Sequence, residues 1–369
     1  MALSKIDSTN MIDDVPQSKI DNNINFRNIL INSDMSIAQR GTSATGVTSN
    51  GYYLCDRWNT IPINLGTWTL TQSTDVPTGQ GFASSFKMDC TTADASPSAS
   101  DLFLLRQKIE GQNLQYIKKG TANAQSLTMS FWVKSNKTGT YIAELFDGDN
   151  TRQISKAYAI NSASTWEKKT ITFDADTTGT LDNDNANSLA AQFWLGAGSD
   201  YSSGTLSTTW TANTNTDRAV GQVNLADSTS NEWYVTGVQL EAGQTASEFE
   251  FLPVDCNLQR CLRYYQLLAK GTQIGLAPAT YYTSASIYGN FTTKVPMRAT
   301  PTLDIVTGTN YYIAYRNSGG DTLDTFTLAK GNNLSFELTN TTQASGTAGQ
   351  SAFIRTNNAS ADIAITAEL

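Results

Sequence analysis

The sequence predicts a mainly β protein: a jelly-roll β-sandwich, then a short helix and a smaller C-terminal β-sandwich, all preceded by an extended N-terminal peptide. Charged residues make up only 16% of the 369 residues, against roughly 25% in an average globular protein, and Thr, Ser and Asn take their place. Short runs of β-branched and aromatic residues recur between Gly, Asn, Asp and Ser, which is the pattern of strands joined by turns. Only one stretch has the periodicity of a helix.

Residues 1–26 form a segment of their own. The segment is polar, it contains the sequence SKID twice, at 4–7 and 18–21, and it has too few apolar residues to build a core. Two interpretations stay open. The segment is either a frayed terminus or a docking peptide that anchors the protein to a partner through Ile6 and Ile20.

Residues 27–253 are predicted to form the jelly-roll domain. Apolar and polar residues alternate in its runs, as in TMSFWVKS and KKTITF, so each strand should bury one face and leave the other in water. The buried faces should carry Met129, Phe131 and Val133 in the first run and Ile171 and Phe173 in the second. Two long polar loops, 174–188 and 199–217, exceed what a compact domain usually needs.

Residues 254–369 are predicted to begin with the helix and to continue as the smaller sandwich. Pro253 marks the boundary, Asp255 is a candidate N-cap, and Gly271 closes the segment. Apolar residues between them recur at helical spacing, which predicts a helix over 256–270 with a narrow stripe that contains tyrosine. From residue 281 onward about seven short strands follow, enough for a small sandwich.

The composition excludes several classes of function. The chain has no His, which removes Ser-His-Asp triads, Cys-His pairs and His-ligated metals. It has no run of about 20 apolar residues, so no transmembrane helix is expected, and its first residues lack the apolar stretch of a signal peptide. The net charge of -8 and the lack of a Lys/Arg cluster argue against nucleic acid as a partner.

The four cysteines give no metal motif. Their spacing matches no zinc site, and the separation of the last two suits no disulfide. We therefore expect four unbridged, buried thiols, at Cys55, Cys90, Cys256 and Cys261.

Carboxylates are the only catalytic groups that remain. Glycoside hydrolysis needs two of them about 5–10 Å apart, but the pairs Glu144 with Asp147 and Asp182 with Asp184 carry no recognised motif, so no enzymatic activity is expected. The same acids lie in the clusters DGDN and DNDN, whose oxygens suit calcium. Asp147, Asp149, Asp182 and Asp184 are thus candidate calcium ligands, with ordinary turns as the alternative. No other cofactor is expected.

Aromatic residues supply a third signal, because sugars stack on aromatic rings and bond to neighbouring amides and hydroxyls. Most of the seven Trp lie in predicted strands and are expected in the core or on sheet faces. Polar loops hold the better candidates for an exposed glycan site. These candidates are Trp210, Tyr201 and Asn213, with Trp194 as a fourth although it lies in a strand.

Several ordered motifs resemble the carbohydrate-binding-module-like domains of tail fibres and other virion proteins of bacteriophages, particularly marine ones. They include NILINSDMSIAQRGTS (28–43), GYYLCDRW (51–58), LRQKIEGQNL (105–114), SFWVKSN (130–136), DNDNANSL (182–189), AVGQVNLA (219–226) and VTGVQLEAG (235–243). FEFLPVDCNLQRCLRYYQ (249–266) is similar to the join between sandwich and C-terminal module in those proteins, and PMRATPTL (296–303) is similar to a motif of the module itself.

The resemblance implies an appendage on the exterior of a virion, assembled as a homotrimer, with residues 1–26 as the part that attaches to tail or capsid proteins. We therefore expect a non-enzymatic structural and recognition protein, a tail fibre or head fibre, that binds host surface polysaccharide. Two alternatives stay open: a capsid-decorating fibre without a specific receptor, and a polysaccharide depolymerase. The short repeated strands of a depolymerase β-helix do not occur.

Overall fold

The chain is mainly β, as the sequence predicts, and its sheets are antiparallel in a computed structural model that describes residues 26–317 and 319–369. The described residues divide into two units. The larger unit comprises 26–36, 43–51 and 59–252, and the smaller comprises 37–42, 52–58 and 253–369. The smaller unit thus takes two short segments from the N-terminal part of the chain, which the sequence did not indicate.

The larger unit is a sandwich of two antiparallel sheets. Its helices are α1 (Ser199–Ser202) and four 3₁₀ turns at Gly111–Asn113, Gln115–Ile117, Asn215–Asp217 and Leu225–Asp227. Its strands are β1 (Ser43–Val47), β2 (Gly51–Tyr52), β3 (Asn59–Ile63), β4 (Thr67–Ser73), β5 (Ser85–Thr92), β6 (Leu102–Glu110), β7 (Leu127–Ser135), β8 (Gly139–Asp147), β9 (Arg152–Ile160), β10 (Glu167–Phe173), β11 (Asn187–Ala197), β12 (Thr211–Ala212) and β13 (Glu232–Ala242).

One sheet has the order β1-β4-β5-β13-β7-β10, and the other has the order β12-β9-β8-β11-β6-β3-β2. The chain crosses repeatedly between the two sheets, as in a jelly roll. Rings from the facing strands meet in the core: Trp68 lies 4.1 Å from Phe103, and Phe131 lies 4.9 Å from Phe193. All four side chains are fully buried, so the sandwich has an aromatic core.

The alternation in β7 and β10 is confirmed on the inner face, where Met129, Phe131, Val133, Ile171 and Phe173 are buried. The expectation of a wet outer face is wrong for β7. There Thr128 and Ser130 are buried too, and so is Lys134, which bonds to Asp75. Polar side chains that hydrogen-bond to one another can be buried without a large penalty. The alternation of apolar and polar residues does not reveal whether the polar face is covered.

The outer face of the seven-stranded sheet is covered as well. Residues 198–224 fold back over it, and a second small core forms from Ile61, Leu104, Ile142, Trp194 and Ala219, with Tyr201 and Leu206 packed at its edge. The loop 199–217 is therefore a lid on the sheet rather than a free polar loop.

The smaller unit is also a sandwich. Its helix is α2 (Val254–Leu262), and its strands are β14 (Tyr265–Lys270), β15 (Gly275–Thr283), β16 (Ser286–Thr292), β17 (Thr302–Ile305), β18 (Tyr312–Arg316), β19 (Gly319–Leu323), β20 (Thr327–Gly331), β21 (Ser335–Asn340), β22 (Ser351–Thr356) and β23 (Asp362–Thr366). A sheet of order β14-β23-β17 packs on one of order β19-β18-β22-β15-β16-β21-β20. Tyr281, Tyr312, Ile354, Ile363 and Ile365 are fully buried in the shared core.

The helix predicted over 256–270 is wrong in its second half. It begins at Val254, with Asp255 in its first turn rather than at the cap, and ends at Leu262. Tyr265 then starts β14, which pairs with the last strand of the chain, Tyr265 opposite Thr366. The pairing with a strand about 100 residues away overrides the local helical spacing, as tertiary context often does.

A buried ionic cluster joins the two N-terminal segments of the smaller unit to its C-terminus. Arg57 is bonded to Glu368, and Arg40 lies 3.3 Å from the same carboxylate. Each guanidinium also stacks on a ring, Arg57 on Tyr264 and Arg40 on Tyr265. Asp56 accepts hydrogen bonds from the Gln39 amides inside this cluster.

The sequence also predicts unbridged cysteines and no transmembrane helix. None of the four cysteines, all of which lie in the described residues, forms a disulfide; three are buried and Cys256 is half-buried. No helix within 26–317 and 319–369 is long and apolar enough to cross a membrane.

Candidate functional site

The sequence-predicted glycan residues of the larger unit are mostly engaged within the fold. Trp194 is fully buried, and its Nε1 donates to Glu144 at 2.8 Å. Tyr201 lies against the Trp194 ring at 5.4 Å. A buried ring has no face to offer a sugar, so Trp194 is a core residue.

Trp210 and Asn213 are half-buried. The Trp210 Nε1 donates to the backbone oxygen of Asp174 at 2.8 Å, and the Lys119 ammonium lies 5.0 Å from the centre of its ring. Asn213 donates through its side chain to Asn215. The structure thus places Trp210 beside Lys119, whereas Tyr201 lies at a different location, over Trp194.

Glu144, the first carboxylate considered for catalysis, is buried in a complete set of partners. One oxygen accepts from the Arg218 Nε at 2.8 Å, and the other accepts from Arg218, Gln192 and Trp194. Arg218 also lies over the Phe146 and Trp194 rings. A carboxylate held by this many donors is structural and has no lone pair directed at a substrate.

One acid of the DGDN cluster, Asp147, meets a lysine together with Asp176, which lies outside both clusters. Asp147 is fully buried and accepts from the Lys119 Nζ, and Asp176 lies 2.9 Å from the same atom. The backbone oxygens of Thr178 and Gly179 accept from it too, at 3.1 and 2.9 Å. We call these four oxygen-bearing groups the Lys119 cradle. They form an oxygen set of the kind that hard cations prefer, and here the cation is an ammonium.

The other candidate calcium ligands have local roles. Asp149 accepts from the backbone nitrogen of Asp182, and Asp184 accepts from the backbone nitrogen of Ala186. No group of three or more Asp, Glu or Cys side chains in the described ranges is placed to hold a metal ion. The predicted anchoring residues Ile6 and Ile20 lie outside the described residues.

An exposed aromatic site lies on the smaller unit, where sequence reasoning did not place one. A cleft of about 740 Å³ runs over the outer face of its seven-stranded sheet. We call it the aromatic cleft, and its side chains include Thr280, Tyr282, Tyr288, Asn290, Glu337 and Phe353. Tyr282 is 76% exposed and Phe353 is 60% exposed.

Strand geometry explains why these side chains share one face. In β15 the residues Ala277, Ala279 and Tyr281 point into the core, so Thr280 and Tyr282 point outward. In β22, Ala352 and Ile354 flank the outward Phe353 in the same way. Cross-strand pairing then brings the faces together, with Thr280 opposite both Tyr288 and Ser351.

The rings have two arrangements in the cleft. Tyr282 and Tyr288 meet edge to face, with centroids 5.8 Å apart. Phe353 is a ridge, because it lines both the aromatic cleft and a second cleft of about 370 Å³ that is also lined by Arg355. Tyr315 lies directly opposite Phe353 on β18 and is 48% exposed. Rings, hydroxyls and amides therefore alternate along a continuous surface.

Lys330 enters the aromatic cleft from a distorted strand. A bulge in β20 lies between Ala329 and Gly331, and Lys330 has a φ of 30°. A non-glycine residue in this region costs of order 1–3 kcal/mol. Bulges re-aim side chains, and this one directs an exposed lysine into a cleft with Glu337.

Comparisons with known proteins return structures but no sequence family. No family model and no curated protein match the sequence. The enzymatically active domain of tailspike protein 4 from bacteriophage CBA120 is similar at 13% identity, over 58% of this chain and 21% of that one, with a TM-score of 0.31. A putative sugar binding protein from Bacteroides thetaiotaomicron is similar at 12% identity, over 58% of this chain and 99% of that one, with a TM-score of 0.33.

A family 11 carbohydrate-binding module from Clostridium thermocellum, solved with a mixed-linked tetrasaccharide, is similar at 13% identity, over 56% of this chain and 98% of that one, with a TM-score of 0.26.

Proposed function

We propose that this protein is a non-enzymatic appendage on the exterior of a bacteriophage particle, and that it binds host surface glycans through the aromatic cleft of its smaller unit. The observation that carries the glycan-binding part is the exposure of Tyr282 and Phe353, with the half-buried Tyr288 between hydroxyl and amide side chains on the same sheet face. Rings that face water add nothing to the core, whereas they stack well on the apolar faces of sugars.

The set of charged groups favours binding over hydrolysis. Among the described residues that line the aromatic cleft, Glu337 is the only carboxylate, and a glycosidase needs two. Glu144, in the larger unit, is saturated by Arg218 and its neighbours. The depolymerase alternative therefore lacks its pair of acids at both of these places.

The weak binding of one site suits an oligomer. Each stacked ring contributes on the order of 1–2 kcal/mol, so one cleft would bind a sugar weakly. A homotrimer would raise the overall affinity through effective concentration. The family resemblance supports the trimer, the virion location and the attachment of residues 1–26, with Ile6 and Ile20, to tail or capsid proteins. Deleting 1–26 should remove the protein from particles, as detected by immunogold labelling.

The glycan proposal is tested by substituting Phe353 in the full-length protein. Phe353→Ala and Tyr282→Ala should each weaken binding to a polysaccharide array by about tenfold per site, the equivalent of 1.4 kcal/mol. Tyr116→Ala is the matched control, because Tyr116 is a half-exposed ring in the larger unit. Light scattering of each variant reports whether the oligomer persists.

The outcomes separate the proposal from its alternatives. Loss of glycan binding with an unchanged oligomer supports a sugar site. Loss of the oligomer would show instead that the rings form a subunit interface. Unchanged binding in both variants would remove the cleft from glycan recognition, and a wild-type protein that binds no polysaccharide would favour the decorating fibre without a receptor.

A further inference from the structure

The charges around the aromatic cleft point to an acidic ligand. We infer that the cleft selects acidic oligosaccharides, in which carboxylated sugars lie at both ends of the bound segment; this inference rests on the glycan-binding function proposed above. Lys330 lines the cleft at one end, and Arg355 lines the adjoining cleft beyond the Phe353 ridge.

Neither cation has a carboxylate within salt-bridge distance among residues 26–317 and 319–369. This contrasts with most lysines and arginines of the larger unit, and with Arg316 of the same sheet, which lies 2.7 Å from Asp321. In a chain with 33 acidic and 25 basic residues, two cations that form no ion pair on one sheet face are an unusual local choice, even with Glu337 in the same cleft.

The Arg355 side chain is also held in place, and the backbone at Lys330 sets the direction of its side chain. The guanidinium carbon of Arg355 lies 4.6 Å from the centre of the Tyr315 ring. Stacking of this kind orders an arginine while its N–H donors, which lie in the plane of the guanidinium group, stay available to a carboxylate. Lys330 is directed by the bulge in β20. Side chains that are ordered before binding lose less entropy when they bind.

The separation of the two cations sets the size of the ligand. Arg355 is on β22 and Lys330 is on β20, and the sheet order places β15, β16 and β21 between them. Four steps of about 4.8 Å give about 19 Å. That distance is the span of an oligosaccharide rather than of one sugar, and Phe353, Thr280 and Tyr288 lie along it.

Glu337 bears on which acidic oligosaccharides the cleft prefers. It lies inside the cleft on β21, opposite Asn290, where a carboxylate repels an acidic sugar and accepts hydroxyls from a neutral one. The arrangement thus favours a chain in which acidic sugars alternate with neutral sugars over one in which every sugar is acidic.

The test uses full-length protein on an array of hyaluronan, alginate, polygalacturonate and polysialic acid, each printed beside its carboxyl-reduced neutral derivative. Hyaluronan, in which acidic and neutral sugars alternate, should bind more tightly than the three polymers in which every sugar is acidic, and the reduced derivatives should lose binding. Lys330→Gln and Arg355→Gln should each weaken binding to the acidic member by about tenfold, and Glu337→Gln should strengthen it, because hydrogen bonds to charged groups are the stronger ones. Binding should also weaken as salt rises.

Lys118→Gln is the matched control, since Lys118 is an exposed lysine with positive φ in the larger unit and should change nothing. Binding that survives carboxyl reduction, or that ignores Lys330→Gln and Arg355→Gln, would overturn the selectivity while leaving the glycan site intact if Phe353→Ala still abolishes it. Binding that ignores Phe353→Ala as well would overturn both, and so would a wild-type protein that binds no member of the array.

Discussion

Lys119 is the buried group whose removal should cost the larger unit most. Its ammonium contacts two carboxylates and two carbonyl oxygens of the Lys119 cradle, and its side chain is only 4% exposed. The Asp147 and Asp176 side chains are 0% and 4% exposed. In Lys119→Met the apolar stem keeps its volume while the charge disappears.

The expected loss follows from what remains. Asp176 keeps Arg152, whose Nε lies 2.8 Å from it, but Asp147 keeps only the neutral donors of Asn150. Removing one partner of a buried ion pair typically costs about 3–5 kcal/mol, because the other charge stays buried and uncompensated. We therefore expect Lys119→Met to lower the free energy of unfolding by that amount.

Urea unfolding at pH 7 measures the effect, with Lys137→Met as control. Lys137 pairs with Asp227, but the two side chains are 23% and 35% exposed, so this variant should lose less than about 1 kcal/mol. Burial raises the pKa of Asp176, but hydrogen bonds from Arg152 and Lys119 outweigh it and lower the pKa below 3.8. The difference between wild type and Lys119→Met should therefore shrink as the pH falls below about 4. Equal losses in the two variants would refute the reasoning.

Four further outcomes are expected. Burial raises the pKa of Asp56 from 3.8 to about 6 against the hydrogen bonds of Gln39. The folded state therefore holds this proton more tightly than the unfolded chain does. As the pH rises from about 4 to about 6, the free energy of unfolding should fall by about 3 kcal/mol. Asp56→Asn should remove that fall in urea titrations, and an unchanged slope would assign the titration to another group. Trp210→Ala should cost about 2 kcal/mol, less than a fully buried tryptophan, and loss of glycan binding by the folded variant would place a sugar site at this loop after all. In Lys119→Ala, which leaves the space among the cradle oxygens open, millimolar calcium should recover part of the lost stability through the remaining oxygens, and a calcium titration without effect would show that the cradle is too small or too closed. Light scattering at micromolar concentration should give a homotrimer, and a monomer would contradict it.

The strands were predictable because their signal is local. Met129, Phe131 and Val133 alternate with polar residues, and the structure buries all three. The helix prediction fails after Leu262 because it also used a local signal. Helical spacing continues to Tyr265, but that residue pairs with Thr366 in a sheet. No local pattern reports a partner at the far end of the chain.

The sequence does indicate that residues 198–224 cover the outer face of the seven-stranded sheet in the larger unit, although alternation alone does not show it. In TYIAELF the core side chains Tyr141, Ala143 and Leu145 alternate with Ile142 and Phe146, which are also apolar. A strand that is apolar on both faces needs cover on both. That cover is the loop holding Tyr201 and Leu206, whose side chains pack onto the sheet rather than being displayed.

The smaller sandwich shows the opposite arrangement, and this contrast locates the site. Its outward positions in β15, β16 and β22 alternate with core residues, so Thr or Ser there would serve the strands as well as rings do. The chain instead places Tyr282, Tyr288 and Phe353 at those positions and leaves them without cover from the described residues of its own unit. It also accepts a positive φ at Lys330, which directs a charge among them. Exposed rings that add nothing to packing, beside a strained backbone position, are features for which function is the expected reason, and in the smaller unit they converge on one face.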